Sequence, residues 1–299
     1  MTSVPSLAAI ARPSGTFAMV AMDQRESLRT MFADAGAGRP DDAGMSDFKV
    51  AVADALGPFA SGFLIDRHFG FDRVRAALPA DRCGLILAAD DLVQEPGGPV
   101  EDTSLDAAVA DAGFDLTGVR ALKLLVIWRR DERRAARIEL ARRFIELAAE
   151  RGVLSVLEPV ARPSASESSE SAGGSWDADA AIIEAATELS PLRPSLYKAQ
   201  VPRAGRGDAA ELADACARLG AAITGPWVVL SQGVERDDFP RAVSAACRAG
   251  ASGFLAGRAL WSDVVGAGAV SRALSEVAVP RLQRLVELVD AEARPWTHA

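Results

Sequence analysis

Short apolar runs recur along the chain, separated by stretches of helical period. The runs are Thr16–Asp23, Ser61–Asp66, Gly84–Asp90, Val119–Ile127, Val153–Glu158, Ser195–Val201, Pro226–Ser231 and Ser252–Gly257. None alternates cleanly between polar and apolar positions, as expected of parallel strands buried on both faces. Between them, helices are predicted over Phe48–Leu56 after a Ser46/Asp47 cap, Asp131–Arg151 closed by Gly152, Asp177–Leu189, Ala209–Leu219, Phe239–Ala249 and Pro280–Ala293. Eight strands alternating with helices predict an α/β chain folded as a (β/α)8 TIM barrel, one domain over residues 1–299. An open doubly wound sheet is the alternative. No G-x-G-x-x-G follows the first run, which counts against it.

Two stretches break the pattern. Gly36–Asp47 reads as a loop in the first strand-to-helix connection. The serine-rich segment Arg162–Asp177 reads as a mobile loop on the face where barrels do chemistry, either a lid or a plain insertion. Trp128–Arg137 is rich in arginine, but its acids are interleaved at helical spacing, so it reads as a solvated helix face.

Composition narrows the chemistry. A net charge of −8 argues against nucleic acid. No apolar run is long enough for a membrane span, and the first residues lack the layout of a secretion signal, so a cytoplasmic protein is expected. Cys83, Cys216 and Cys247 are far apart and suggest neither disulfides nor a thiolate metal site. His68 and His298 are the only histidines, so a three-histidine zinc site cannot form within one chain. Of 33 basic residues only three are lysines: Lys49, Lys123 and Lys198. Arginine stays protonated, whereas a lysine can lose its proton and attack a carbonyl.

The strand ends collect polar residues: Asp23, Asp66, Asp90, Glu158, Ser231 and Arg258, with Lys123 and Lys198 inside the fourth and sixth runs. Asp66 and Asp90 fit a satisfied buried role as well as a functional one. Two lysines on nearby strands would lower each other's pKa, making one of them a nucleophile for a Schiff base. Glu158 is placed to move the proton, and Asp23 to orient the lysine or a substrate hydroxyl. Leu230–Val234 and Ala256–Trp261, after the last two strands, supply glycine turns and Arg258 where barrels often hold a phosphate.

The stretches FAMVAMDQRESLRTMFADAG, SDFKVAVADAL, ALKLLVIWR, LEPVARP, LYKAQVP, FPRAV and AGASGFLAGRALWSDVVG resemble the bacterial class I aldolases that include sulfofructosephosphate aldolase and tagatose 1,6-bisphosphate aldolase. The likeness is closer to the former. The resemblance implies a barrel without metal or other cofactor. It makes Lys198 the Schiff-base lysine, Glu158 the acid/base and Lys123 its electrostatic partner. It gives Asp23, Gln24 and Arg25 contacts to substrate, and gives Ser231, Gly233, Gly257 and Arg258 the phosphate of dihydroxyacetone phosphate. Lys49 reads as structural. Two departures touch distal specificity: Gln232 stands where a small residue is expected, and the serine-rich segment is longer and more acidic.

The implied reaction is cleavage of 6-deoxy-6-sulfofructose 1-phosphate to dihydroxyacetone phosphate and sulfolactaldehyde, in sulfoquinovose breakdown. The alternative is cleavage of tagatose 1,6-bisphosphate to dihydroxyacetone phosphate and glyceraldehyde 3-phosphate. The sequence does not show which residues line the distal pocket; Arg25 is expected to be one of them. A pyridoxal-phosphate barrel and a non-catalytic sugar-phosphate sensor are the rivals from other classes. The expected partners are a sugar phosphate or sulfosugar phosphate and further copies of the chain in a homo-oligomer, with no nucleic acid and no membrane. The apolar positions Leu282, Leu285, Val286 and Val289 of the last helix fit either a subunit interface or the barrel wall.

Overall fold

The computed structural model describes residues 5–95, 98–168 and 176–299. Ten strands form among them: β1 (Phe17–Met22), β2 (Gly62–Ile65), β3 (Gly84–Ala88), β4 (Asp90–Gln94), β5 (Val100–Leu105), β6 (Val119–Trp128), β7 (Leu154–Ala161), β8 (Leu196–Ala199), β9 (Trp227–Val229) and β10 (Gly253–Ala256). Eight close into a parallel barrel in the order β1-β10-β9-β8-β7-β6-β3-β2, while β4 and β5 form a separate antiparallel hairpin. The predicted (β/α)8 barrel is therefore the fold.

Strand parity decides what the barrel encloses. Successive side chains point to opposite faces, so every second residue faces the axis. Phe17, Met19, Ala21, Leu64, Ile86, Ala88, Ala121, Leu154, Val156, Leu196, Val228 and Leu255 form one interior cluster. The alternate positions, including Val20, Phe63, Leu87, Leu122, Leu124 and Tyr197, pack against the surrounding helices in a second, larger cluster. Burying such side chains stabilises the fold by roughly 1.5–3 kcal/mol each. The closure of β10 onto β1 requires a glycine. Gly253 has φ +135°, and a Cβ there would stand 1.9 Å from the Phe17 carbonyl oxygen.

Several element boundaries differ from expectation. The helix predicted from Phe48 begins at Asp42, capped by Asp41, whose carboxylate accepts from Gly44 N at 2.8 Å. Ser46 does not cap it, because its hydroxyl donates back to the Asp42 carbonyl inside the helix at 2.9 Å. The expected loop Gly36–Asp47 is thus half helical, and a further helix, Glu26–Asp34, precedes it. β7 does not stop at Glu158 but continues through Pro159 to Ala161. The final helix is Val279–Glu292. Leu282, Leu285 and Val289 are buried in the core and Val286 packs against it, so these residues build the barrel wall.

The arginine-rich segment is more than a solvated face. Arg137 is buried and donates two hydrogen bonds to the Asp131 carboxylate, at 2.5 and 3.0 Å. Asp131 thus lies outside the helix, which begins at Arg134. Arg130 joins Glu184 at 2.7 Å and Glu167 at 3.0 Å. Glu167 belongs to a short helix, Ala165–Ser168, so this part of the expected mobile loop is tethered. The remainder of that expectation, over residues 169–175, lies outside the described residues. No helix among the described residues is long and apolar enough to cross a membrane.

Candidate active site

Continuing the interior parity one step upward turns the core polar. Ala21 leads to Asp23, Ala88 to Asp90, Ala121 to Lys123, Val156 to Glu158 and Leu196 to Lys198. These five side chains line a cavity of about 330 Å3 at the C-terminal end of the barrel. A floor of small and branched residues beneath a ring of charge is what lets the charges meet without water below them.

Lys123 is the hub. Its Nζ lies 2.8 Å from Asp23 Oδ2, 3.0 Å from Asp90 Oδ2 and 2.8 Å from Glu158 Oε2. The other oxygen of Glu158, Oε1, lies 2.8 Å from Lys198 Nζ. Lys123, Glu158 and Lys198 are only 2%, 7% and 3% exposed, so neither lysine faces bulk water. Both reach one carboxylate from neighbouring sides, across the ladders that pair β7 with β6 and with β8.

This geometry corrects the expected electrostatics. Two ammonium groups were expected to lower each other's pKa. Burial does push Lys123 down, but Asp23, Asp90 and Glu158 outweigh it and hold the group well above the ordinary lysine value. Lys123 is a permanent cation here. Burial likewise pushes Asp23 up, and the charges of Lys123 and Lys198 reverse that, leaving its carboxyl well below the usual range. Glu158 stands between the two lysines and screens one from the other.

The remaining expected residues divide. Gln24, Arg25, Ser231, Gly257 and Arg258 line the cavity. Gln24 Oε1 is buried with no hydrogen-bond partner among the described residues. A Cβ on Gly257 would stand 2.6 Å from the Ala21 carbonyl oxygen, so only glycine lets this turn lie against β1. Gly233 is not part of the wall; at φ +81° it makes the turn that presents Ser231 and Gln232. Arg25 donates to the Asp90 carbonyl at 2.7 Å and to its carboxylate at 3.2 Å, so its charge is already engaged.

Asp66 and Asp90 part ways. Asp66 pairs with Lys49, both fully buried, and also accepts from His68 N at 2.9 Å and Phe69 N at 3.0 Å. It holds a turn and does not line the cavity. Burial pushes Lys49 down, an effect that Asp66 partly offsets. Asp90 instead completes the Lys123 cage and accepts from Leu125 N at 3.0 Å.

Sequence reasoning missed the β4–β5 hairpin, which contributes Leu92, Gln94, Gly98, Pro99 and Val100 to the wall. Its signal was available: the Pro-Gly-Gly-Pro stretch after Glu95 separates two runs rich in β-branched and polar residues. Asp102 anchors the hairpin through its ion pair with Arg133. Arg162 was also missed. It stands four residues beyond Glu158 and shares its strand parity.

The chain matches the DeoC/LacD family aldolase model over residues 17–263. It belongs to that aldolase family. It is an aldolase by kinship, a lyase, and the polar ring described above lies within the matched region. It is 26% identical to a tagatose 1,6-diphosphate aldolase of Listeria monocytogenes serotype 4b over 329 aligned residues, covering 96% of this chain and 91% of the relative. A tagatose 1,6-diphosphate aldolase 2 of Streptococcus mutans is 36% identical over 83 residues, 27% of this chain and 24% of the relative. The fold resembles that of fructose-bisphosphate aldolase from Plasmodium falciparum, with a TM-score of 0.72 at 13% identity, covering 97% of this chain and 95% of that one.

Proposed function

We propose that this aldolase works through a Schiff base on Lys198 and cleaves tagatose 1,6-bisphosphate to dihydroxyacetone phosphate and glyceraldehyde 3-phosphate. The observation that carries the chemistry is the sharing of Glu158 between Lys198 and Lys123 in a buried ring. The substrate rests on the names of the relatives, which favour the bisphosphate over the sulfosugar that the motif likeness put first.

The geometry supports an ordered sequence of proton movements. Glu158 Oε1 takes a proton from Lys198 Nζ across 2.8 Å, and the free amine adds to the ketone at carbon two. The carbinolamine hydroxyl gains that proton and leaves as water while the nitrogen lone pair forms the carbon–nitrogen double bond, giving an iminium. Glu158, again a carboxylate, removes the proton of the carbon-four hydroxyl. The bond between carbons three and four breaks, and its electron pair flows into the iminium. The aldehyde departs, and the enamine left on Lys198 is protonated at carbon three. Water then adds to the iminium and releases dihydroxyacetone phosphate.

Lys123 supports each step without exchanging its proton. Its positive charge, 2.8 Å from Glu158 Oε2, holds that carboxylate in position beside Lys198. Asp23, held ionised by both lysines, is a permanent acceptor for a substrate hydroxyl. Ser231, the Gly257 turn and Arg258 face the cavity and offer donors to the phosphate on carbon one.

Borohydride reduction in the presence of dihydroxyacetone phosphate tests the chemistry. The expected result is a stable adduct on the peptide containing Lys198. Absence of that mass would remove the Schiff base and favour a sugar-phosphate sensor. Comparing kcat/KM for tagatose 1,6-bisphosphate and 6-deoxy-6-sulfofructose 1-phosphate tests the substrate. A preference for the sulfosugar would overturn the bisphosphate.

A further inference from the structure

The charges lining the cavity do not cancel. Five cations face it, Arg25, Lys123, Arg162, Lys198 and Arg258, against three carboxylates, Asp23, Asp90 and Glu158. The carboxylates are fully engaged: Lys123 contacts all of them, Lys198 contacts Glu158 and Arg25 contacts Asp90. Arg162 and Arg258 are left over. Among the described residues, no carboxylate makes an ion pair with either, and Arg162 Nε is buried without any hydrogen-bond partner. Two unmatched guanidinium groups in one cavity call for a ligand with two anionic ends.

The strand order assigns the ends. Lys198 lies on β8, with β7 on one side and then β9 and β10 on the other. A ketose joined to Lys198 through carbon two therefore has two directions to run. Toward β9 and β10 lie Ser231 and Arg258. Toward β7 lie Glu158, which must meet the carbon-four hydroxyl, and then Arg162, the residue just past the end of β7 and in the same parity as Glu158. Val160, between them, is buried with Ile127 and Leu230 at the top of the barrel. The backbone of Arg162 is fixed by its N–H, which donates to the Trp128 carbonyl at 2.9 Å.

We propose that Arg162 grips the anionic group at the far end of the sugar, the carbon-six phosphate of a ketose 1,6-bisphosphate, and so sets the preference for two-anion substrates. This rests on the aldolase reading for the direction in which the sugar runs. It moves the distal site from Arg25, whose guanidinium Asp90 holds, to a guanidinium that makes no ion pair among the described residues.

The test uses binding of non-cleavable sugars, so it does not depend on turnover. Calorimetric titration with a hexitol 1,6-bisphosphate and a hexitol 1-phosphate is done on the unmodified chain, Arg162→Gln and Arg162→Lys. Loss of a charge-assisted contact should weaken the bisphosphate about 10- to 100-fold in Arg162→Gln while the monophosphate stays within about twofold. Arg162→Lys should recover part of the loss. Equal weakening of both ligands, or of neither, overturns the proposal. Cleavage assays on the same preparations separate the two readings. If the unmodified chain cleaves no sugar phosphate yet the binding split holds, the aldolase chemistry fails and Arg162 stands. If cleavage proceeds and the split is absent, Arg162 fails alone.

Discussion

Lys198 Nζ lies 2.8 Å from Glu158 Oε1, with both residues buried where they line the cavity. In the proposed mechanism the nucleophile and its base are thus in contact before any substrate arrives. The same carboxylate is held from its other side by Lys123. In that mechanism Glu158 serves Lys198 first and the substrate hydroxyl later, while Lys123 only holds the carboxylate in place.

That division of labour separates two chemical steps. Glu158→Gln removes the base for carbon–carbon cleavage but leaves Lys198 in place. Its kcat should fall by about 10²- to 10⁴-fold, the usual contribution of a positioned acid/base. Borohydride with dihydroxyacetone phosphate should still label Lys198 at long incubation. Retention of full kcat would show that another group takes the hydroxyl proton.

Lys123→Met should be costly in stability as well as in rate. It leaves Asp23, Asp90 and Glu158 buried with their shared cation gone, a loss of about 3–5 kcal/mol. The pH dependence has a definite sign. Lys123 is raised in the folded chain, so its stabilisation is complete below the ordinary value of 10.5 and is lost as pH rises through the higher folded value. Asp23 is depressed, so its share is complete above 3.8 and fades as pH falls toward the lower folded value. Urea unfolding should therefore show a constant gap between unmodified chain and variant from about pH 5 to 9, narrowing in more acid solution. A gap that changes steeply near neutrality would contradict the charge assignment.

Lys49 supplies the contrast. It is buried and paired with Asp66 but lines no part of the cavity. Lys49→Met should destabilise the fold by about 3–5 kcal/mol, because Asp66 is left without its cation. The fraction that remains folded should cleave with kcat/KM within about threefold of the unmodified chain. A large loss of kcat/KM in well-folded protein would place Lys49 in the reaction.

The barrel was legible in the sequence because buried parallel strands leave short apolar runs that survive without alignment. Nine residues expected at the site, Asp23, Gln24, Arg25, Lys123, Glu158, Lys198, Ser231, Gly257 and Arg258, line one cavity, because each follows its strand's interior parity or lies in the loop just beyond it. Three things were not legible. The β4–β5 hairpin has no counterpart in the regular alternation of strand and helix, so its residues passed as a connection. The cap at Asp41 was hidden by Ser46, which matches the local preference but spends its hydroxyl within the helix. The electrostatics of Lys123 depend on carboxylates from β1, the hairpin and β7, distant in sequence and joined only by barrel closure.

Arg25 and Arg162 make a matched pair for a last prediction. Both line the cavity, but Arg25 is neutralised by Asp90 and supports the cage around Lys123 from behind. Arg25→Gln should loosen Asp90 and lower kcat by roughly tenfold, about the effect of one lost charged hydrogen bond. Because the lost contact belongs to the protein rather than to the distal anion, the decrease should be the same for tagatose 1,6-bisphosphate and tagatose 1-phosphate. Steady-state kinetics on the two sugars measures this directly. If Arg25→Gln instead spares the monophosphate and damages only the bisphosphate, the distal anion sits against β1 and the hairpin. The free charge of Arg162 would then need another ligand.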